Sequence, residues 1–292
     1  MQNKLEYVGG LFYFSEKGQQ DVFSSIFFTP SRVIFRPDTS STAVFGQLTW
    51  HVDDKLALLL GGRQTTDEKK LDGTLNNTAF SQTNTYRRFT PKIGLDYKID
   101  PEVLTYISYS EGFKSGGYNG LASSIAQITQ AFLPQYTKAY EAGIKADLLN
   151  RTLRLNTALF YKDIKNRQQT LTVASGPAAG TFVVENYNAE LRGLELELAW
   201  RAMKGLSFWG NASFNHGRYK SCSTAATVTC SIINNKLPVF PNHTFTLGFD
   251  FDTRVGAGKV KFGADYSRRG DYFSTADNVL IGAVPQQKFL NA

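Results

Sequence analysis

The stretch VLTYISYSEGFKSGGYN, Val103 to Asn119, decides how the chain folds. It follows a tight turn at Ile99-Asp100-Pro101 and runs as a β-rich segment carrying Tyr106 and Tyr109. It then gives way to a loop marked by Gly112, Gly116 and Gly117. β-Branched and aromatic residues ending in clustered glycines predict a strand that opens into a long loop.

Both flanks repeat the arrangement, with strands visible as period-two alternation. Upstream, Phe45, Gln47, Thr49 and His51 alternate with Val44, Leu48, Trp50 and Val52. A turn at Asp53-Asp54 follows, then a strand from Leu56 to Arg63. Lys92, Gly94, Asp96 and Lys98 alternate with Ile93, Leu95, Tyr97 and Ile99. Downstream, Glu141, Gly143, Lys145 and Asp147 alternate with Tyr140, Ile144 and Leu148. After a turn at Asn150-Arg151, Leu153, Leu155, Leu159 and Tyr161 oppose Arg154, Asn156 and Lys162. Glu195 and Glu197 face away from Leu194, Leu196, Leu198 and Trp200. Phe245, Leu247, Phe249 and Phe251 face away from Thr244, Thr246, Asp250 and Asp252. Val260, Phe262, Ala264 and Tyr266 close the series against Lys261, Asp265 and Ser267. A first strand is expected near Tyr7 to Phe14. Thr65 to Thr85 and Gly120 to Gln135 are expected to be long loops, and Ala174 to Gly180 a loop tip.

Short turns fall near Asp53, Asp100, Asn150, Lys204-Gly205 and Ala257, about 50 residues apart, with long polar segments between them. Tight turns at one end and long loops at the other describe an outer-membrane barrel. A soluble sandwich rarely carries loops longer than about a dozen residues at one end only. Trp50, Tyr97, Trp200 and Phe251 each precede a short turn on the apolar face. That spacing forms an aromatic ring at one membrane boundary. No run of about 18 apolar residues predicts a spanning helix, which leaves a barrel of alternating strands untouched.

The 292 residues suffice for a sizeable core, and the formal charge is +7. The cations are scattered, with adjacent pairs only at Lys69-Lys70, Arg87-Arg88 and Arg268-Arg269. A nucleic-acid protein gathers them in one stripe, so no nucleic-acid partner is expected. A solvated basic surface is the plain reading, and attraction to lipopolysaccharide phosphates or to an anionic ligand is the second. The opening MQNKLEYVGG shows no charged segment followed by an apolar one, so no signal peptide is expected.

The wording YSEGFKSGGYN resembles the TonB-dependent outer-membrane receptors. Similar wording occurs in YVGGLFYFSE (Tyr7 to Glu16), PKIGLDYKID (Pro91 to Asp100) and YEAGIKADLLNRTLRLNTALFYKDIKNRQ (Tyr140 to Gln168). ENYNAELRGLELEL (Glu185 to Leu198) and LPVFPNHTFTLGFDF (Leu237 to Phe251) extend it over essentially the whole chain. The resemblance implies an all-β fold, an antiparallel transmembrane β-barrel of the family's 22-strand type. Residues 1–292 read as one partial barrel domain of about 11–12 strands. The family's plug domain, its TonB-contacting segment and its closing strands have no counterpart in the sequence. Implied partners are outer-membrane lipid and lipopolysaccharide, TonB through the plug region, and a metal chelate or similar small ligand. The implied activity is import of ferric siderophores or another bulky, scarce nutrient across the cell outer membrane, without a cofactor. A plugless porin-type channel is the alternative reading, and an outer-membrane enzyme a third.

Only His51, His216 and His243 are present, and no HExxH, GxSxG or CxxC spacing occurs, so neither catalytic nor metal-ligating residues are expected. His51 and His243 read as interfacial. Cys222 and Cys230 share one polar segment on the long-loop side, which suggests a disulfide, with a metal pair as the alternative. Alternation places Glu141 and Glu195 on the face opposite the apolar residues. The resemblance implies that they pair with plug arginines, with Glu197 in reserve; otherwise they simply face water. Ligand contacts implied by the family fall on loop and upper-lumen residues, here Arg88, Lys114, Tyr118, Asn119 and Arg218.

Overall fold

Strands β1 (Leu5–Lys17), β2 (Gln20–Ile26), β3 (Thr29–His51), β4 (Leu56–Leu75), β5 (Thr78–Asp100) and β6 (Val103–Lys114) form the first half of the chain. A short helix, α1 (Ile125–Thr129), precedes β7 (Gln135–Leu148), β8 (Leu153–Thr172), β9 (Phe182–Met203), β10 (Leu206–Cys222), β11 (His243–Val255) and β12 (Gly258–Arg269). β13 (Tyr272–Phe273), β14 (Ala283–Val284) and β15 (Gln287–Asn291) follow. The computed structural model describes residues 4–26, 29–173, 179–223 and 230–292.

One antiparallel sheet runs β1-β3-β4-β5-β6-β7-β8-β9-β10-β11-β12-β15, with β2 paired to β3, while β13 and β14 form a separate ribbon. β1 occupies the lower part of β3 and β2 its upper part, so the two act as one interrupted strand. Counted that way, the twelve-strand path agrees with the expected number. Among the described residues β1 and β15 do not pair with each other.

Every expected short turn is present, and local chemistry explains several. Asp53 Oδ1 accepts from the backbone N–H groups of Lys55 and Leu56 at 2.7 and 2.8 Å. Asp100 Oδ1 accepts from Glu102 N at 2.8 Å. These are side-chain turns that fix the chain reversal without helix or ladder. Gly205 sits at φ +83°, and a Cβ there would lie 2.1 Å from the Asp252 carbonyl oxygen, so this turn requires glycine.

The segment Thr65 to Thr85 differs from expectation. It is not a loop but the far end of a β4–β5 hairpin, paired without interruption to Leu75↔Thr78. Its turn, Asn76-Asn77, has φ of 48° and 67°, the left-handed region that asparagine tolerates best after glycine. Threonine favours strands, but above the membrane both faces meet polar surroundings and the alternation that reveals a strand disappears. Gly120 to Gln135 is a loop that also carries α1, whose first turn is capped by Ser124 Oγ accepting from Gln127 N at 3.3 Å. Of the expected Ala174–Gly180 tip, residues 174–178 lie outside the described set, and 179–180 form a turn.

Register assigns the faces of every strand, including β1 and β6, whose residues alternate less cleanly. Directly opposed residues share a face. Tyr7↔Leu48↔Leu60↔Ile93 therefore defines one face, continued by Ile107, Tyr140, Leu159, Leu194, Phe214 and Leu247. Its apolar side chains are open: Leu11 is 85% exposed and Leu159 60%. Trp50, Tyr97, Trp200 and Phe251 lie on this face beside the short turns. The opposite, inward face carries the packing. Val33, Phe35, Leu71 and Phe80 from β3–β5 enclose Ile128 of α1. A second cluster gathers Ile164, Tyr187, Tyr219, Ile232 and Leu237.

Candidate functional site, the inward face and its loop

Glycine opposite an aromatic residue builds the first element of the site. Tyr106 of β6 is registered with Gly143 of β7, and a Cβ at Gly143 would meet the Tyr106 ring at 2.5 Å. The ring lies across the glycine, and its hydroxyl donates to Glu141 Oε1 at 2.7 Å. Glu195 is opposed by Ala158 and Ser213, small residues that leave it open to the lumen. Glu197 accepts from Asn156 Nδ2 at 3.2 Å. Both Glu141 and Glu195 project from the inward face, with Tyr140 and Leu194 on the outward one.

Register adds three carboxylates to this set. Asp96 is opposed by Tyr106, Asp250 accepts from Trp209 Nε1 at 3.0 Å, and Asp265 accepts from Asn291 Nδ2 at 3.0 Å. The arc lies a few residues from the short turns, from Asp96 on a strand ending at Asp100 to Glu195 on a strand ending at Met203. Among the described residues, no cation lies within ion-pair distance of any of the six. Alternation already placed Asp96, Asp250 and Asp265 on the polar face; only the register shows that they share one arc.

Above the arc, the glycine loop that follows β6 crosses the lumen and is held there by amides. Gln168 Nε2 donates to the carbonyls of Ser115 and Leu133 at 2.8 and 3.1 Å. Asn186 accepts from Leu133 N at 2.9 Å and donates to Leu133 O and Asn166 O at 3.1 and 2.9 Å. Asn166 Nδ2 donates to Pro134 O at 3.2 Å. Asn186 is fully buried, so its own bonds form where water is a poor substitute. None of the three amides was anticipated from sequence, because an isolated Asn or Gln carries no pattern.

The five residues expected to contact ligand separate into different roles. Arg88 pairs with Glu111 at 2.5 Å, and its guanidinium lies 4.9 Å from the Tyr136 ring centroid. Lys114 is exposed at the upper end of β6, opposite Gln135. Tyr118 packs beside the α1 cluster with its hydroxyl buried and, among the described residues, without a hydrogen-bond partner. Asn119 is structural: it donates to Phe182 O at 2.6 Å and accepts from Leu121 N at 3.2 Å. Arg218 is not in the lumen. Unbroken register from Phe214 puts it on the outward face, bonded to Glu190 at 2.8 Å, while its neighbours Gly217 and Tyr219 are buried inward. The expectation failed there because height was inferred and face was not.

Cys222 and Cys230 are bonded to each other, with Cα atoms 5.6 Å apart. Cys222 packs on the Tyr187–Tyr219 cluster. Beside it, Glu185 is 2% exposed and accepts from the Tyr187 hydroxyl; burial pushes its carboxyl above the usual range, and the tyrosine only partly offsets this. No group of three or more potential metal-ligating side chains occurs among the described residues. His51 Nε2 lies 3.0 Å from Glu6 Oε1 at the short-turn end, and His243 opens β11.

Comparison with known proteins agrees with this architecture. The ferrichrome outer membrane transporter/phage receptor of Escherichia coli is 23% identical over 87% of this chain, which spans 32% of that protein. The metal-pseudopaline receptor CntO of Pseudomonas aeruginosa is 37% identical over 37% of the chain and 15% of its own length. The ferric yersiniabactin uptake receptor FyuA from Yersinia pestis superposes with a TM-score of 0.81 at 17% identity, covering 99% of this chain and 43% of FyuA. The chain thus spans about a third of the ferrichrome transporter's length. The family model for the TonB-dependent receptor-like β-barrel matches residues 3–291, and the chain belongs to that family of outer-membrane receptors.

Proposed function

We propose that this barrel portion lines the import path of an energised outer-membrane transporter for an anionic metal chelate, a ferric siderophore or a similar bulky, scarce nutrient. The related proteins are named for ferrichrome, metal-pseudopaline and ferric yersiniabactin, each a chelated metal or its carrier. In this reading Arg88, Lys114 and Tyr118 stand nearest the ligand's route. Arg88 is already neutralised by Glu111, so the exposed Lys114 and the unpartnered hydroxyl of Tyr118 are the better contacts.

The observation that supports the reading is the arc of inward carboxylates that make no ion pair among the described residues, although Lys92, Lys98 and Lys145 share their face. Carboxylates enclosed in a filled lumen need cationic partners, because a charge removed from water without one is costly. We read Glu141 and Glu195 as the anchors of a basic plug surface contributed by the full-length protein and engaged by TonB through it. A plugless channel has no need of such an arc, and the family consists of receptors and transporters rather than enzymes.

Growth decides the substrate class. A strain deleted for the full-length parent is supplied with ferric siderophores, cobalamin or oligosaccharides as the limiting nutrient. Loss of growth on one or more ferric siderophores, restored by the parent gene, is the expected outcome. Dependence on an oligosaccharide alone would overturn the metal-chelate reading.

A further inference from the structure

The inward face is not uniform, and its β1–β4 end differs from the carboxylate arc. Val8, Phe12, Phe14 and Phe45 project inward from β1 and β3 and are 36–57% exposed. They form one strip. Phe45 is registered with Gly10, between Val8 and Phe12, and its ring lies across that glycine, where a Cβ would sit 2.6 Å from Cζ. Higher on β3, the inward residues Val33 and Phe35 pack in the cluster around Ile128, whereas this strip has no such cover among the described residues.

One cation is built into the strip. Arg63 of β4 is directly opposed to Phe45, and its guanidinium carbon lies 4.8 Å from the Phe12 ring centroid and 5.9 Å from that of Phe45. Arg63 Nε donates to Thr65 Oγ1 at 3.0 Å, and its terminal nitrogens have no acceptor among the described residues. The cross-strand and diagonal neighbours of Arg63 on this face are Phe45, Ala43, Gln47, Thr90, Lys92 and Arg88. None is a carboxylate. Arg88 is committed to Glu111, while Lys92 makes no ion pair among the described residues. Asp67, the nearest inward carboxylate on β4, is four residues from Arg63, about 13 Å along the strand. The arc on β5 to β12 needs cations; this end of the same wall is set for an anion.

We propose that Arg63, Phe12 and Phe45 form a binding site for a carboxylate carried on an apolar body. The guanidinium fork matches a carboxylate bidentately, and the aromatic rings hold it in place while leaving its donor edge free. The apolar body lies along Phe12 and Phe14, and Lys92 adds a second positive charge beside the fork. An arginine that merely faced water would have no use for the uncovered strip, since contiguous exposed apolar surface marks a contact. The carboxylate can come from a soluble molecule in the lumen or from an acidic side chain elsewhere in the full-length protein. The site rests on the transport reading only for the substance that passes it, and the readouts below do not use uptake, so either can fail without the other.

The test uses the full-length parent in mild detergent, with benzoate and its neutral counterpart benzamide as probes followed by ligand-observed NMR. If the source is soluble, benzoate binds the parent in preference to benzamide. Arg63→Gln should then bind benzoate about tenfold more weakly or worse, as loss of a charge-assisted hydrogen bond implies. Phe12→Ala should weaken it by a smaller factor. If the source is internal, the parent takes up no benzoate and Arg63→Gln lowers the urea midpoint of unfolding. That deficit should vanish below about pH 4, where the partner carboxyl is protonated. Heat-modifiable migration on gels confirms that each variant is folded. Benzoate binding that does not depend on Arg63, or none at all, would overturn the site if the midpoint is also unchanged. It would do so equally if the deficit persists at about pH 3, because only stacking on the rings survives there. Displacement of benzoate by an equal concentration of inorganic phosphate would overturn the apolar half of the assignment.

Discussion

The outward and inward faces of β5 to β10 are built from alternating residues of the same strands, yet they sort charge in opposite ways. Outward, Ile93, Ile107, Leu159 and Leu194 cover the middle of each strand, and cations appear only from the row of Tyr109, Tyr140, Tyr161 and Arg192 toward the long loops. Inward, at the same level, stand Asp96, Glu141 and Glu195, with Asp250 on the adjoining β11, interspersed with Lys92, Lys98 and Lys145. A side chain's role here therefore follows from its parity and its cross-strand neighbours more than from its residue type. Arg218 and Lys145 are both cations on neighbouring hairpins, but one is on the outward face, paired with Glu190, and the other lies 5.5 Å from the ring of Tyr106 on the inward face.

The largest effect is expected when the closed barrel that separates the two faces is removed. In the 292-residue chain alone, β1 and β15 each have a single neighbour. Each unpaired backbone group placed in hydrocarbon costs on the order of several kcal/mol. Expressed by itself, the chain should aggregate or pair edge to edge in bilayers. A monodisperse, heat-modifiable monomer after refolding would show that the two faces need no closed wall.

A single arginine on each face sharpens the contrast. Leu159→Arg faces lipid near the middle of β8 and should destabilise the full-length protein by about 2–4 kcal/mol in urea-dependent refolding into vesicles. Ala158→Arg, one residue away, faces Glu195 and should change stability by less than about 1 kcal/mol. Equal costs would mean that the faces are wrongly assigned.

Upper and lower regions of the inward face differ as well, since only the upper one is closed over by loops. The bond between Cys222 and Cys230 should form in exported protein and stabilise its segment by about 2–3 kcal/mol. Quantitative alkylation of native outer-membrane protein should find no free thiol; two reactive thiols would contradict this.

Burial of Glu185 predicts a smaller, pH-dependent effect. Its folded carboxyl titrates above its ordinary value of 4.5, so the unfolded state loses its proton first as pH rises. The contribution to stability is complete below that ordinary value and declines as pH rises toward the folded value. Amide exchange around Tyr187 and Tyr219 should quicken from pH 4 to pH 7 beyond the intrinsic rate, and Glu185→Gln should flatten that dependence. An unchanged dependence in the variant would assign it elsewhere.

Most of the membrane-embedded fold was legible in sequence because lipid forces a strict alternation, as in Leu194 to Trp200, and because Asp53, Asp100 and Gly205 mark their turns chemically. Legibility ended where that constraint ends. The β4–β5 hairpin around Asn76 has polar surroundings on both faces and reads as a loop. The loop anchors Asn166, Gln168 and Asn186 act through contacts more than thirty residues away in sequence. Glu141 and Glu195 were legible as inward residues, whereas Arg218 was misplaced because its strand's register could not be counted from the short turn alone.

The central claim is that the inward carboxylates serve transport rather than merely facing water. It is tested by Glu141→Ala combined with Glu195→Ala in the full-length parent, with uptake of its cognate chelate and outer-membrane exclusion of large antibiotics measured together. Barrel assembly should remain intact, as judged by heat-modifiable migration, while uptake falls or exclusion fails. Wild-type uptake with wild-type exclusion would contradict the account.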